Sequence, residues 1–325
     1  MSLLRYRKQD IAAVLDKTAS AGTAGELLQH GGAIPVVGTL AEIEQTDALY
    51  LGIAPPGGRL PVEWKSIMLE ALDRKMDVVS GFHDFLNDDD ELVAAAATSN
   101  AKLIDIRNTS HETTAKGVAK ESAGIRIHTV GHDCSVGKMV ASIEIQLGLL
   151  AYGRKSSFVA TGQTGIMISG QGIPIDRTIV DFTNGAAESL IANNEGKDFL
   201  LIEGQGSISH PAFSAVTLGL LHGCAPHGLV FCYEAGRQKV KGLPEIDLPD
   251  MSEQINAYLT AARLRHPCDF IGVAVNTRNL DEMAAKKEVD RIEKKLDLPA
   301  CDVYRDGPRK LVDACLELER KLGVS

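Results

Sequence analysis

Short apolar runs alternate along the chain with longer stretches in which apolar residues recur every three or four positions. The short runs predict buried β-strands, and the periodic stretches predict amphipathic helices. In the second half, the expected strands are 125–130, 157–160, 199–202, 228–232, 270–275 and 302–304. The expected helices are 138–150, 184–194, 211–222, 251–265 and 281–296. On the first of these helices, one apolar face is predicted from Val140, Ile143, Leu147 and Leu150.

The first third of the chain shows the same alternation. Its expected strands are 34–37, 48–53, 77–80 and 102–106, and its expected helices are 64–74 and 90–100, with a turn-rich segment at 54–61. Strands separated by helices indicate parallel βαβ units, so this part predicts a Rossmann-like domain. It lacks the G-x-G-x-x-G motif, and nothing in it supports dinucleotide binding.

Residues 131–139 read Gly-His-Asp-Cys-Ser-Val-Gly-Lys-Met, a G-x-x-x-x-G-K phosphate loop between a predicted strand and a predicted helix. The glycines let backbone N–H groups point inward, while the helix N-terminus and Lys138 add positive charge. Met139 stands where Ser or Thr normally supplies the hydroxyl that holds Mg²⁺. The loop is therefore expected to bind a phosphate chain without the usual metal hydroxyl.

The predicted fold class is α/β, with a Rossmann-like N-terminal domain followed by a P-loop NTPase-like parallel-sheet domain. The polar, aperiodic stretch 108–122 is the predicted linker, which places the domains at 1–118 and 119–325.

Composition and charge exclude several classes of protein. The net charge of −9 argues against a broad nucleic-acid surface. The six cysteines are scattered without a C-x-x-C pair, so no metal is expected, and most cysteines are expected to be reduced core residues of a cytoplasmic protein. No apolar run approaches ~20 residues, and the N-terminus lacks an apolar signal segment, so no membrane association is expected. A homo-oligomer is the base-rate expectation.

Three side chains are candidate catalytic groups. Glu203 directly follows the strand 199–202, where a Walker-B acid would stand. His210 ends a polar segment with two glycines and offers an imidazole as a base. Asp133 places an acid inside a phosphate site, where it needs a nearby cation, either a metal or a substrate ammonium. Cys134, inside the same loop, is interpreted as a small residue that fits the turn, and a reactive thiol is the alternative.

Polar residues beyond the ends of other predicted strands are candidate substrate ligands. The glycine-rich segment 161–174 is expected to be a loop on the same sheet edge as the phosphate loop. Arg177 and Arg237 have the guanidinium geometry that holds a carboxylate through two hydrogen bonds. The candidate substrate-binding residues are Thr161, Gly162, Gln163, Thr164, Arg177, Gln205, Ser207 and Arg237.

The motif Gly131-x-Asp133-x-x-Val136-Gly137-Lys138 resembles the loop of dethiobiotin synthetase, an ATP- and Mg²⁺-dependent carboxylate-activating enzyme. Glu203-Gly204-x-Gly206 is similar to that family's second signature, in which the acid binds metal. The likeness stops there, because that family has Thr at the position of Met139 and lacks a comparable first domain.

A wider resemblance covers nearly the whole chain. It is to a two-domain P-loop family long classed as a domain of unknown function, of which D-glutamate N-acetyltransferase is a representative. The matching stretches lie in both domains and occur in order: 52–55, 57–61, 79–86, 133–139, 159–166, 203–207, 210–212 and 236–237. Met139 belongs to the usual pattern of this family.

This resemblance implies transfer of an acetyl group from acetyl-CoA, as co-substrate, to the amino group of D-glutamate or a similar amino acid, in D-amino-acid catabolism. The cofactor-binding residues would be Gly131, His132, Asp133, Cys134, Ser135, Val136, Gly137, Lys138 and Met139. They would hold the phosphates of coenzyme A without hydrolysing a nucleotide. His210 or Glu203 would be the base, and Asp133 would assist.

Two other functions stay open from the sequence. An ATP/Mg²⁺-dependent ligase or kinase of the dethiobiotin-synthetase type is favoured by Asp133 and Glu203 as a substitute metal pair and disfavoured by Met139. A non-catalytic regulator that binds a nucleotide or coenzyme A would use the first domain as a sensor.

Overall fold

The computed structural model describes residues 1–19, 22–44, 46–52 and 58–323. By its internal contacts the chain divides into two compact units, Met1–Thr109 with Ile166–Pro174, and Ser110–Gly165 with Ile175–Ser325. These units describe contacts, and the predicted domain boundary between residues 118 and 119 stays a prediction.

The described residues of the first unit form two small parallel sheets. One pairs β1 (Val14–Leu15) with β2 (Val36–Val37), and the other has the order β3 (Ala48–Tyr50), β4 (Asp77–Ser80), β5 (Leu103–Asp105). The helices are α1 (Ser2–Tyr6), α2 (Ala24–Leu28), α3 (Lys65–Asp73) and α4 (Asp90–Ser99). The helix α4 begins after Asp89, whose carboxylate accepts the amides of Glu91 and Leu92. The buried cluster around the larger sheet contains Met68, Leu72, Val78, Leu86 and Leu92.

The second unit is built on a six-stranded parallel sheet. Its described residues contain eight strands: β6 (Ile125–Gly131), β7 (Ser156–Val159), β8 (Phe199–Ile202), β9 (Gly228–Glu234), β10 (Lys239–Val240), β11 (Leu243–Asp247), β12 (Asp269–Asn276) and β13 (Ala300–Cys301). The sheet order is β13-β12-β9-β6-β8-β7, and β10 and β11 form a separate antiparallel hairpin. The strands β7 and β8 lie on one side of β6, and the later strands β9, β12 and β13 lie on its other side. The strand order therefore reverses at β6. Ligand sites in open parallel sheets form at such a switch point, beyond the carboxyl ends of the strands.

Helices cover both faces of this sheet. They are α5 (Lys138–Ala151), α7 (Val180–Ala192), α8 (Ser214–Cys224), α9 (Met251–Arg263), α10 (Glu282–Leu296) and α11 (Arg309–Leu322). The short helix α6 (Gln163–Ser169) has residues in both units. One buried cluster contains Ile127, Ile145, Leu149, Leu201 and Leu311, and the other contains Leu221, Phe231, Tyr258, Val273 and Ile292. Strands buried on both faces read as continuous apolar runs, which explains the sequence pattern.

The structure differs from the sequence-based expectation at several places, which include the unexpected helix α11 and the unexpected hairpin β10–β11. Residues 302–304 follow the short strand β13 and are not a strand. The segment 161–174, expected to be a loop, contains α6 despite its glycines. The expected strand 48–53 ends at Tyr50 in the structure, and Ile53 with the first half of the turn-rich segment, residues 54–57, lies outside the described residues.

The predicted apolar face of α5 is also wrong in part. Leu147 and Leu150 are 45% and 46% exposed, whereas Ile145 and Leu149 are fully buried. The helix is covered by the sheet and also by α11, because a Cβ on Gly148 would meet Val312 and Pro308. The side of α5 that is buried is therefore set by two neighbours and not by the spacing of its large apolar residues.

Within the described part of the chain, no helix combines the length and the apolar character that crossing a membrane requires.

Two alanine variants on α5, one at a buried position and one at an exposed position, test how this helix packs. Ile145→Ala removes a fully buried side chain and should lower the free energy of unfolding by about 2–5 kcal/mol. Leu147→Ala changes an exposed position and should cost less than about 1 kcal/mol. Urea or thermal unfolding of both variants measures the difference, and equal losses would contradict this packing of α5.

Candidate active site

The phosphate loop joins the end of β6 to the start of α5. Gly131 ends the strand and Lys138 begins the helix. A Cβ on Gly131 would lie 2.8 Å from Val136 Cγ2 and 3.0 Å from Cys232 O, so only glycine lets the loop close over its first residue. Gly137 has a φ of 108°, in the left-handed region that glycine adopts without a Cβ penalty. The strand, loop and helix thus have the arrangement that the sequence motif predicts.

The loop presents a concentrated set of hydrogen-bond donors. The backbone N–H groups of residues 135–139 donate to no acceptor within the described part of the chain. Lys138 Nζ lies 2.7 Å from Asp133 O and 2.8 Å from Gly206 O. Burial lowers the pKa of Lys138, because a desolvated ammonium lacks the hydration that stabilises its charge. We call Lys138 and the N–H groups of residues 135–139 the anion cradle, since a bound anion would satisfy them all.

Asp133 is fully buried and connects the loop to the hairpin β10–β11. Its Oδ1 accepts the amide of Cys134 at 2.7 Å, and its Oδ2 accepts the Lys241 amide at 2.8 Å. Arg237 Nη1 lies 2.9 Å from the same Oδ2. The cation that an acid in this loop requires is therefore supplied by the protein itself.

Arg237 is held from several sides. Besides Asp133, its Nη1 donates to Cys134 O at 2.7 Å, and its Nη2 lies 2.5 Å from Glu234 Oε2. Glu234 in turn accepts from Asn279 Nδ2 at 3.0 Å and pairs with Arg278 at 2.8 Å. Because Arg237 is 13% exposed and committed to these partners, its role in this geometry is to fix the loop, and a substrate carboxylate would have to displace them.

Two histidines flank the loop, and both have partners. His132 Nε2 accepts the amide of Glu234 at 3.2 Å, and burial lowers the pKa of His132 to about 4. His210 Nδ1 accepts the amide of Ala212 at 3.1 Å. With a lone pair on Nδ1, the neutral ring of His210 carries its proton on Nε2, which lies 3.3 Å from Lys241 O. His132 is therefore a neutral structural acceptor, and His210 donates toward the hairpin.

Glu203 stands at the end of β8 with one oxygen held and the other open. Its Oε2 accepts the amides of Thr161 at 2.9 Å and Gly162 at 3.0 Å. No described residue donates a hydrogen bond to Oε1. Burial raises the pKa of Glu203 to about 7, and the two amides and Lys138 offset only part of that rise. A Cβ on Gly165 would overlap Oε2, so this glycine provides the space that the carboxylate occupies.

The segment after Glu203 packs closely against β6. A Cβ on Gly204 would overlap Thr129 O, and the Gly204 amide donates to Thr129 Oγ1 at 3.0 Å. Gln205 Nε2 donates to Thr161 O and, at 3.2 Å, to Thr161 Oγ1. Ser207 is fully buried, with Oγ 3.2 Å from Ser209 Oγ. Three of the candidate substrate ligands therefore bond within the protein: Thr161 and Gln205 beside Glu203, and Ser207 to Ser209.

The remaining candidates lie apart from these contacts. Gln163 and Thr164 are the half-buried first residues of α6. Arg177 is exposed in the 3₁₀ turn Ile175–Arg177 and takes no part in the contacts given above. Burial raises the pKa of the Cys134 thiol, with Lys138 opposing, so the thiol form predominates as expected for a small residue that fits the turn.

Three residues of the site have no signal in the sequence. Tyr258 is fully buried on α9, and its hydroxyl donates to Gly131 O at 2.9 Å and accepts from the Ile208 amide at 3.0 Å. Asn276 at the end of β12 donates to Val136 O at 3.3 Å. Lys241 contributes its main chain between β10 and β11 to Asp133 and His210. Each comes from an element far from the loop in sequence, so only the tertiary fold identifies it.

One group of side chains has the composition of a metal site. Single ligand atoms of Asp133, Cys134 and His210 lie within 4.8 Å of one another. Both oxygens of Asp133 already accept hydrogen bonds, and the tautomer of His210 places a proton on the nitrogen nearest to Asp133. A cation would have to displace these partners, so the residues as arranged do not fit a resident metal.

The fold and the loop define an α/β protein with a P-loop domain and a Rossmann-like N-terminal domain, as the sequence predicts. A family model for the P-loop domain of DUF1611, a domain of unknown function, matches residues 113–312, and a model for its Rossmann-like N-terminal domain matches residues 18–109. The chain belongs to the DUF1611 family.

Two curated relatives and a solved structure extend this finding. The chain is 40% identical over 280 residues to a D-glutamate N-acetyltransferase of Tritonibacter scottomollicae, covering 85% of this chain and 84% of the relative. It is 41% identical over 264 residues to a D-glutamate N-acetyltransferase of a Pseudoalteromonas species, covering 81% and 79%. A crystal structure of a DUF1611 protein from Anabaena variabilis is 34% identical, with a TM-score of 0.92 over 97% of this chain and 94% of that one. The predicted family membership is confirmed.

Tyr258→Phe tests how the loop is fixed. It removes a buried hydroxyl that serves both Gly131 O and the Ile208 amide, and leaving these groups unpaired should cost about 1–3 kcal/mol of unfolding free energy. Tyr152→Phe is the control, because Tyr152 is 51% exposed. Thermal unfolding measures both, and an unchanged melting temperature for Tyr258→Phe would show that the hydroxyl does not hold the loop.

Proposed function

We propose that the protein is an amino-acid N-acetyltransferase that moves the acetyl group of acetyl-CoA to the amino group of D-glutamate or a similar amino acid. The names of two relatives at about 40% identity over most of the chain support this reaction. The observation that carries it in the structure is the carboxylate of Glu203, fixed through Oε2 by two amides and open at Oε1. Acyl transfer to an ammonium substrate requires a base of this kind.

Glu203 meets the chemical needs of that base. An amino acid presents a protonated amine near neutral pH, and the amine attacks only after it loses a proton. The burial that raises the pKa of Glu203 to about 7 makes its carboxylate a stronger base than an exposed glutamate while leaving much of it ionised at neutral pH. The two amides on Oε2 hold the open Oε1 in one position.

His210 is less suited to this role in the geometry described. Its Nδ1 lone pair accepts the Ala212 amide, and its Nε2 carries the proton, so the neutral ring has no free lone pair for a substrate. We assign His210 to the support of Asp133 and the hairpin, and we assign the proton transfer to Glu203. Asp133 orients the loop through Arg237 and the Cys134 amide.

Acetyl-CoA, when bound, supplies an acetyl group activated as a thioester. The ammonium gives one proton to Glu203, and the free amine then forms a bond to the acetyl carbon. The carbon–sulfur bond breaks, and the second proton lost by the nitrogen is taken up by the thiolate of coenzyme A. N–H donors placed near a carbonyl oxygen stabilise the negative charge that develops on it. An ATP-dependent ligase would need Asp133 and Glu203 as a metal pair, but Asp133 is bonded to Arg237 and two amides.

Incubation of the purified protein with acetyl-CoA and D-glutamate tests the reaction directly. We expect N-acetylglutamate by mass spectrometry and an equal amount of free coenzyme A by thiol titration, without ATP. L-Glutamate and D-aspartate in parallel define the acceptor. Acetylated product that forms only with ATP and Mg²⁺, or no product from any amino acid, would refute the proposal.

Glu203→Gln tests the base. Gln keeps an oxygen that accepts the two amides but does not take up a proton, so kcat should fall about 10²- to 10⁴-fold. In the wild-type protein, kcat/KM should rise with pH through about 7, because Glu203 acts as a base only when ionised, and in the variant this limb should disappear.

Glu319→Gln is the control for loss of a buried carboxylate, because Glu319 is 8% exposed and pairs with Arg154. Its kcat and pH profile should match the wild type. A Glu203→Gln variant that keeps the wild-type kcat and the limb near pH 7 would assign the base to another residue.

A further inference from the structure

The anion cradle and Glu203 are immediate neighbours. Lys138 Nζ bonds to Gly206 O, and a Cβ on Gly204, the residue after Glu203, would lie 2.9 Å from Lys138 Cδ. The charge of Lys138 acts on Glu203 directly and opposes the rise in its pKa. An anion held by the cradle therefore lies close to the open Oε1 of Glu203, where the reacting amine must also lie.

The dimensions of the two substrates distinguish which one brings that anion. In acetyl-CoA, the pyrophosphate and the thioester are the two ends of the pantetheine arm, on the order of 15 Å apart when extended at ordinary bond lengths. In an α-amino acid, the ammonium and the carboxylate share one carbon atom, so they lie about 3 Å apart. An amino acid therefore places a carboxylate on the cradle and its amine at Glu203 at the same time, whereas a pyrophosphate on the cradle with an extended arm places the acetyl group far from Glu203.

The charges around the anion cradle also favour a carboxylate over a pyrophosphate as its ligand. Lys138 Nζ bonds to two carbonyl oxygens, and no carboxylate among the described residues pairs with it. The nearby charges of Asp133 and Arg237 compensate each other at 2.9 Å. The cradle thus offers one positive charge to which no carboxylate is hydrogen-bonded, and this matches one carboxylate. A pyrophosphate carries more negative charge and normally recruits Mg²⁺ through the loop hydroxyl that Met139 replaces.

We propose that the anion cradle binds a carboxylate of the amino-acid acceptor and thereby directs its ammonium to Oε1 of Glu203. The phosphates of coenzyme A then bind away from the loop, and the acetyl end of the pantetheine arm approaches it. This inference rests on the proposed N-acetyltransferase function and differs from the expectation, drawn from the sequence motif, that the loop holds the phosphates of coenzyme A.

Cys134 provides a probe of the cradle in the unmodified protein. It lies inside the loop and is the one cysteine of the six that is not buried. Alkylation with iodoacetamide, followed by peptide mass spectrometry, should therefore report on this loop first. Because burial raises the pKa of the thiol, the reaction is run at a mildly alkaline pH that increases the thiolate fraction.

The two ligands to compare are D-glutamate and ADP, since ADP carries the pyrophosphate without the pantetheine arm. We expect saturating D-glutamate to slow the modification of Cys134 at least about tenfold, and ADP at the same concentration to leave the rate unchanged. Protection by ADP, alone or together with D-glutamate, would overturn the proposal, and so would protection by neither ligand.

Lys138→Met gives an independent measurement. Loss of the ammonium should raise KM for the amino acid by about tenfold or more, while Kd for acetyl-CoA should change less than about threefold. Lys239→Met is the matched control, because Lys239 pairs with Asp247 on the hairpin surface, and it should change neither constant. A weaker Kd for acetyl-CoA with an unchanged KM for the amino acid would overturn the proposal.

The outcomes separate this inference from the proposed function. A wild-type protein that forms N-acetylglutamate while ADP protects Cys134 would refute the carboxylate assignment and leave the acetyltransferase function standing. A wild-type protein that acetylates no amino acid would refute the function itself.

Discussion

The buried ion pair between Asp133 and Arg237 is the interaction on which the arrangement of the site depends. The carboxylate joins the loop amide of Cys134 to the Lys241 amide of the hairpin, and the guanidinium joins it to Glu234 at the end of β9. Removing either partner would leave a charge buried without compensation, which costs several kcal/mol. The ion pair therefore holds the loop, the hairpin and β9 together. These contacts fix the direction in which the loop N–H groups point.

The sequence predicts the scaffold of the site because the relevant signals are local. The apolar runs of β6 and β8 and the glycines of the phosphate loop are contiguous with Lys138 and Glu203, so their order along the chain already places both at one sheet edge. Parallel strands next to each other bring their carboxyl ends together, and β6 pairs directly with β8. The position of Glu203 beside the loop can therefore be predicted without knowing any contact between distant parts of the chain.

The parts that the sequence does not predict depend on tertiary packing. Tyr258 reads as one more apolar position of α9, and only the fold brings its hydroxyl to Gly131 O. The glycines of residues 161–165 suggest a flexible loop, yet Gly165 serves to make room for the carboxylate of Glu203 at the start of a helix. Leu147 was expected to be buried because it is apolar and well spaced, but the neighbours of α5 lie on another side. In each case, the composition is visible in the sequence and the contact partner is not.

The burial of Glu203 has a consequence for the balance between folding and activity. A carboxyl whose pKa is about 7 in the folded protein, against 4.5 ordinarily, binds a proton that the unfolded chain has already released. The folded state therefore loses roughly 3 kcal/mol as pH rises from the ordinary pKa to the raised one, since each unit corresponds to about 1.4 kcal/mol. The protein retains a group that weakens its own fold at the pH where that group is active. A bound ammonium beside Oε1 would restore part of the folding free energy lost when Glu203 ionises. Substrate binding and thermal stability are therefore coupled, most strongly in mildly alkaline conditions.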